Sequence, residues 1–171
     1  MNEIDSRKRA TEYCRALNRE TDFDSLLGTG QEGYVWRTND NSAIKVFDRV
    51  VNFDRELACY QILSTHQISD IDGFAVPEML QFDSDLRVIE MSIVAAPYIL
   101  DFGKCYVGRP PDFPPDVMEA YEREREEWFE GNWPMVQSAL WTLETLGIFY
   151  NDARPGNIDC TGHPESKQTG L

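Results

Sequence analysis

A lysine and a glutamate, each on the inward side of its own element, constrain this chain more than any other feature. Ser42-Ala43-Ile44-Lys45-Val46-Phe47 is a strand-like run with Lys45 among its apolar residues. Lysine is rarely fully buried without a partner. The following stretch, VVNFDRELACYQIL, puts Phe53, Leu57, Tyr60 and Leu63 on one helical stripe, with Glu56 inside that stripe. An unpaired buried carboxylate is strongly unfavourable. Either charge alone reads as an ordinary solvent-facing group. Together they predict an ion pair between adjacent elements, at the edge of a ligand site.

Two further stretches flank that pair. LGTGQEGYV, residues 27–35, carries Gly28, Gly30 and Gly33 between strand-like runs. Glycines in such a loop let backbone N–H groups approach a phosphate, although a plain hairpin turn has the same composition. A strand rather than a helix follows the last glycine, which excludes a dinucleotide-binding turn of the βαβ type. LETLGIFYNDARPGNI, residues 143–158, ends a helix at Gly147 and then sets Asp152 and Asn157 five residues apart around a Pro-Gly turn. Such a loop is either a solvent turn or a base and a metal ligand held close together.

The order of these parts is glycine loop, strand Lys45, helix Glu56, linker strand and then D-x-x-x-x-N. In that order the chain resembles the protein kinase-like superfamily from about residue 26 to 158. LGTGQEGYV resembles the family's glycine-rich loop and SAIK its V-A-I-K. VIEMSIV resembles the hinge strand, and LGIFYNDARPGNI the catalytic segment. The resemblance implies an α+β, kinase-like fold: an antiparallel N-terminal sheet with one helix, then a minimal, mostly helical C-terminal part. It implies ATP and magnesium as cofactors. Gly28, Gly30, Gly33 and Val35 would cover the nucleotide. Lys45 would meet the α- and β-phosphates and be oriented by Glu56. Ile89 would back the adenine, and Glu90 to Ser92 would meet its edge. Asp152 would orient the acceptor hydroxyl, Arg154 would neutralise the γ-phosphate and Asn157 would hold the metal. Asp159 would join Asn157 if strand alternation puts both on one face.

The sequence departs from the family in three places. Tyr150 stands where a histidine is usual. DARPGN is closer to the loops of atypical and small-molecule kinases, which leaves the acceptor as a protein or small-molecule hydroxyl. The family's Asp-Phe-Gly metal triplet comes after the catalytic loop, but the fourteen residues after Asn157 contain none. Asp101-Phe102-Gly103 spells the triplet about fifty residues too early. The expectation is therefore a strand end turning at Gly103, with Asp101 at most touching a ribose hydroxyl. The alternative function is a pseudokinase-type nucleotide-binding or regulatory module without catalysis.

The organisation expected from the 171 residues is a short mixed-charge helix within 1–22, an N-lobe at 23–103, a truncated helical C-lobe at 104–160 and a loose polar tail at 161–171. GRPPDFPP, residues 108–115, is a break, and the acidic stretch after it reads as a helix with a solvated face. A net charge of −14 argues against a nucleic-acid or anionic-membrane partner. No apolar run reaches the ~18 residues of a membrane span. Four widely spaced cysteines with no histidine pairs suggest reduced thiols, no zinc and a cytoplasmic location.

Overall fold

The structure, a computed structural model, describes residues 2–167. Helix α1 (Glu3–Ala16) leads into strands β1 (Thr21–Thr29), β2 (Gly33–Thr38) and β3 (Ser42–Phe47), followed by helix α2 (Val50–Thr65). Short strands β4 (Asp70–Ile71) and β5 (Phe74–Ala75) precede β6 (Met79–Asp83) and β7 (Val88–Ser92). Then come β8 (Tyr98–Ile99) and β9 (Tyr106–Val107). Helix α3 (Pro115–Phe129), a 3-10 turn and α4 (Trp133–Thr145) lead to β10 (Ile148–Phe149) and β11 (Ile158–Asp159).

An antiparallel sheet of order β1-β2-β3-β7-β6 carries the N-terminal half. All six residues of β3 are buried, because this strand is covered on both sides. Alternation sorts its side chains. Ile44 and Val46 join Ala10, Tyr13, Cys14, Trp36 and Val88 in a core beneath α1. Ala43 and Phe47 join Phe53, Tyr60 and Leu63 of α2 in the larger core. Lys45 therefore shares the α2 side. α1 is integral to this layer rather than a separate N-terminal unit, since Arg9 donates to Phe47 O (2.8 Å) and Leu86 O (3.0 Å). The sheet thus has helices on both faces, not the single helix expected. Gly33 is required where β2 crosses β3, as a Cβ there would stand 2.1 Å from Val46 O.

A second sheet of order β11-β8-β5-β4 joins distant parts of the chain. Ile158 pairs with Ile99 and Asp159 with Tyr98, antiparallel, and Ala75 pairs with Tyr98 in parallel. The second sheet takes β4 and β5 from before β6 and takes β8 and β11 from after β7, so it draws on chain from both sides of the linker between Ser92 and Tyr98. Helix α3 starts at Pro115, where proline's missing N–H costs nothing. Arg125 and Phe129 give α3 an inward side opposite its acidic face. Gly147, at φ 78°, ends α4 in the left-handed conformation that glycine adopts freely.

Asp72 ties this half together by accepting from Ser138 Oγ (3.0 Å) and Thr142 Oγ1 (2.9 Å) of α4. The expected loose tail is corrected at residues 161–167. His163 is buried, with Nε2 2.8 Å from Asp72 O and its ring 4.6 Å from that of Phe74. The rest of that tail, residues 168–171, lies outside the described residues. Among the described residues, no helix is long and apolar enough to cross a membrane.

The fixing point between α1 and the sheet is Glu90, fully buried on β7. It accepts from Tyr13 Oη (2.9 Å) and Ser42 Oγ (2.5 Å) and pairs with the Arg19 guanidinium. Removing one member of a buried charged network leaves the others uncompensated. Glu90→Ala is expected to lower the unfolding free energy by about 3 kcal/mol in urea denaturation. Glu90→Gln keeps an acceptor oxygen and should lose less.

Candidate functional site

Lys45 ends in a nest of three carboxylates. Its Nζ lies 2.6 Å from Glu56 Oε2, 2.7 Å from Asp101 Oδ1 and 3.2 Å from Glu32 Oε2. Each partner comes from a different element. Glu56 is on the inward stripe of α2, Glu32 hangs from the β1–β2 turn and Asp101 follows β8. The predicted Lys45–Glu56 pair is present, and two carboxylates not assigned to it stand beside it.

Asp101 corrects an expectation. The triplet, read as a strand end turning at Gly103 with Asp101 at most at a ribose hydroxyl, brings its carboxylate onto Lys45. Two strand residues explain this. β8 runs antiparallel beside β11, which directly follows Asn157, so the residues after β8 turn into the space next to the 152–157 loop. Backbone Leu100 N donates to Asn157 O at 2.8 Å. The Tyr150 hydroxyl donates to Leu100 O. Phe102 is fully buried, edge-on to Tyr60 at 5.5 Å and to Tyr150 at 5.6 Å. Tyr60 lies one turn beyond Glu56 and Tyr150 two residues before Asp152, so a single aromatic ring links α2 to the catalytic-like loop.

That loop is internally braced. Asn157 is buried and spends its amide hydrogens on Asp152 O and Oδ2, both at 3.0 Å. Lys104 Nζ lies 2.9 Å from Asp152 Oδ2, and Arg154 Nε 3.5 Å. Lys104 and Arg154 are half-exposed, so these pairs add little stability but put two cations at the mouth of the site.

The groups meet around a cavity of about 740 Å³. Its walls include Gly28, Gly30, Gly33, Val35, Lys45, Glu56, Ser92, Arg154 and Asn157 from the sequence-based set. Met91 lies in the stretch expected at the adenine edge and Asp101 was expected at most at a ribose hydroxyl, whereas the Glu32 carboxyl, Tyr60, Leu100 and Lys104 were not assigned to the site in advance. Four predicted positions do not line it. Glu90 and Ile89 are on β7, but alternation turns Glu90 to α1 and packs Ile89 in the core, leaving Met91 to Val94 along the cavity. Asp159 accepts from Thr161 N at 2.8 Å and so caps the following turn. Asp152 is itself outside the wall, held by wall residues Lys104, Arg154 and Asn157.

One ammonium cannot balance three carboxylates, two of them buried. Burial pushes the Glu56 carboxyl up to about 7, with Lys45 opposing and Asp101 adding to the rise. Burial also raises Glu32, again against Lys45 and with Asp101. At Asp101 burial is the largest influence, but the charge of Lys45 and hydrogen bonds from Lys45 and Glu32 outweigh it and hold the carboxyl below its ordinary range. As a carboxylate, Glu32 leaves Oε1 buried without a donor. Protonated, it donates to Asp101. The site is built to retain a proton or to accept a cation.

No family model matches the chain, and neither curated proteins nor solved structures give a match.

The raised Glu56 carboxyl fixes a pH dependence. Its neutral form is favoured in the native state, so its stabilisation is complete below about 4.5, the unfolded value, and is lost as pH rises through about 7. Between pH 5 and 8 the unfolding free energy should fall by about 2 kcal/mol more in the wild type than in Glu56→Gln. Urea denaturation across that range measures it.

Proposed function

We propose that this chain is an atypical, kinase-like phosphotransferase that passes the γ-phosphate of ATP to a protein or small-molecule hydroxyl. The observation that carries the reading is the seating of Asp101 on Lys45 from a strand paired with the one after Asn157. The kinase resemblance calls for a metal-binding carboxylate reached from the strand after the catalytic loop. Here the neighbouring strand delivers it, from earlier in the chain.

The residues present fit such a ligand. Asp101 offers a carboxylate, and Asn157, whose amide hydrogens face Asp152, offers its carbonyl oxygen. Magnesium favours these hard oxygen donors. Excess negative charge around Lys45 is also what a divalent cation would relieve. When bound, magnesium would neutralise the β- and γ-phosphate oxygens. Lys45, oriented by Glu56, would hold the α- and β-phosphates, with the 28–33 backbone above them. Val35, Ala43 and Met91 would enclose the adenine. Asp152 would accept a hydrogen bond from the acceptor hydroxyl and orient it. Lys104 and Arg154, released from Asp152, would face the transferred group. Four free cysteines, three of them buried, support the placement of this chemistry in a reducing cytoplasm.

A second reading, a nucleotide-binding module without transfer, draws on one feature. The Asp152 carboxylate is already engaged by Lys104 and Asn157. Labelled ATP and a thermal-shift titration separate the two. The enzyme should show Mg²⁺-dependent stabilisation, about 2.7 kcal/mol at 100 times Kd. It should also turn over ATP at a rate that Asp152→Ala lowers at least a hundredfold. Asp101→Asn should remove the Mg²⁺ dependence. Stabilisation indifferent to Mg²⁺, with no turnover, would favour the module, and no stabilisation by any nucleotide would refute both.

A further inference from the structure

Glu32 occupies an unusual place for a loop residue. The β1–β2 turn is exposed at Gln31, yet Glu32 between Gln31 and Gly33 is only 6% exposed. Its side chain folds under the turn and into the cavity. There it meets Lys45 at 3.2 Å and lies against Gly103 so closely that a Cβ on Gly103 would stand 2.2 Å from Glu32 Oε2. The turn is also latched at its base, where Asp48 N donates to Glu32 O at 2.9 Å.

The Glu32 carboxyl is held by Lys45 and stands beside the Asp101 carboxyl, with an oxygen of each within 4.8 Å of the other. A ligand carrying phosphates and a divalent cation needs the same two groups, the ammonium for an anionic oxygen and the carboxylate for the metal. Glu32 and such a ligand cannot both be satisfied. We propose that Glu32 is the site's own resident occupant, a built-in competitor that keeps the glycine loop closed over Lys45 and must swing out before a metal–polyphosphate ligand can enter. This rests on the nucleotide reading above and adds a regulation to it. The device follows from charge and space. The carboxyl contributes an oxygen to Lys45, as a phosphate would, and Gly30, where a Cβ would meet nothing within 4 Å, leaves the turn room to carry it in or out. Leaving also exposes Oε1, which has no donor inside, to water.

Calorimetric titration of the purified chain with Mg·ATP, and separately with Mg²⁺ and inorganic tripolyphosphate, tests this. Glu32→Ala is expected to bind both about tenfold more tightly than the wild type, with the larger gain in association rate because the closed state is lost. Gly103→Ala keeps the carboxyl but leaves it no room, and should shift affinity in the same direction if Glu32→Ala fails to fold. Unchanged or weaker binding by a folded Glu32→Ala, with the wild type still binding, overturns the competitor and leaves the nucleotide site standing. Weaker binding would make Glu32 a ligand for the incoming cation instead. Absence of binding by the wild type and by both variants overturns the nucleotide reading and the competitor with it.

Discussion

The Lys45 ammonium is the point on which the rest of the structure depends. It is nearly out of water, and an isolated ion there would be strongly disfavoured. What makes it tolerable is a carboxylate from α2 at 2.6 Å, a second from the segment after β8 and a third from the β1–β2 turn. Four separate pieces of chain must arrive together for that charge to be acceptable. The arrangement specifies register strongly: a one-residue slip of β3 would turn Lys45 toward α1, where Ile44 now packs. The excess of negative charge is then a poised state, ready to take up a proton or a cation.

The scaffold around this centre is divided by function. The layer of α1 and its core serves the sheet alone, with Glu90, Tyr13, Arg19 and Ser42 knitting helix to strands. The opposite face of the same sheet serves the cavity. Because β3 and β7 are buried on both sides, alternation assigns adjacent residues to opposite tasks. Ile44 packs and Lys45 faces the cavity, while Glu90 braces and Met91 lines the pocket. Helices α3 and α4 contribute to the cavity only indirectly, by carrying the chain from β9 to β10 and the Asp152 loop.

Much of this was legible in the residues. The α2 stripe and the inward Glu56 follow from helical spacing, and the glycine turn and paired strands from composition. The Asp152–Asn157 loop is marked by its Pro-Gly turn. Other features depend on contacts that no local pattern encodes. The pairing of Ile158–Asp159 with Tyr98–Ile99 involves two residues per strand, too few for a periodic signal. Without that ladder, Asp101-Phe102-Gly103 could be judged only by its order in the chain. The burial of Glu32 was equally hidden, because a charged residue in a turn ordinarily faces water. Asp159 failed because alternation says which residues share a face and not which face looks into the cavity. His163 and its neighbours were hidden too, since a polar tail carries no sign of the Asp72 carbonyl that holds it.

The short ladder between β8 and β11 has a consequence for how the protein is made. The glycine turn, Lys45, Glu56 and Asp101 lie in one continuous stretch ending at residue 103. β8 is also held there by Ala75 of β5, which is within the same stretch. Asp152 and Asn157 leave the ribosome some fifty residues later, at the very end of the described chain. Chain order thus separates the Lys45 cluster from the 152–157 loop in time. The growing polypeptide can assemble the Lys45 cluster before the Asp152 loop exists, and β11 then pairs with β8 to join the two.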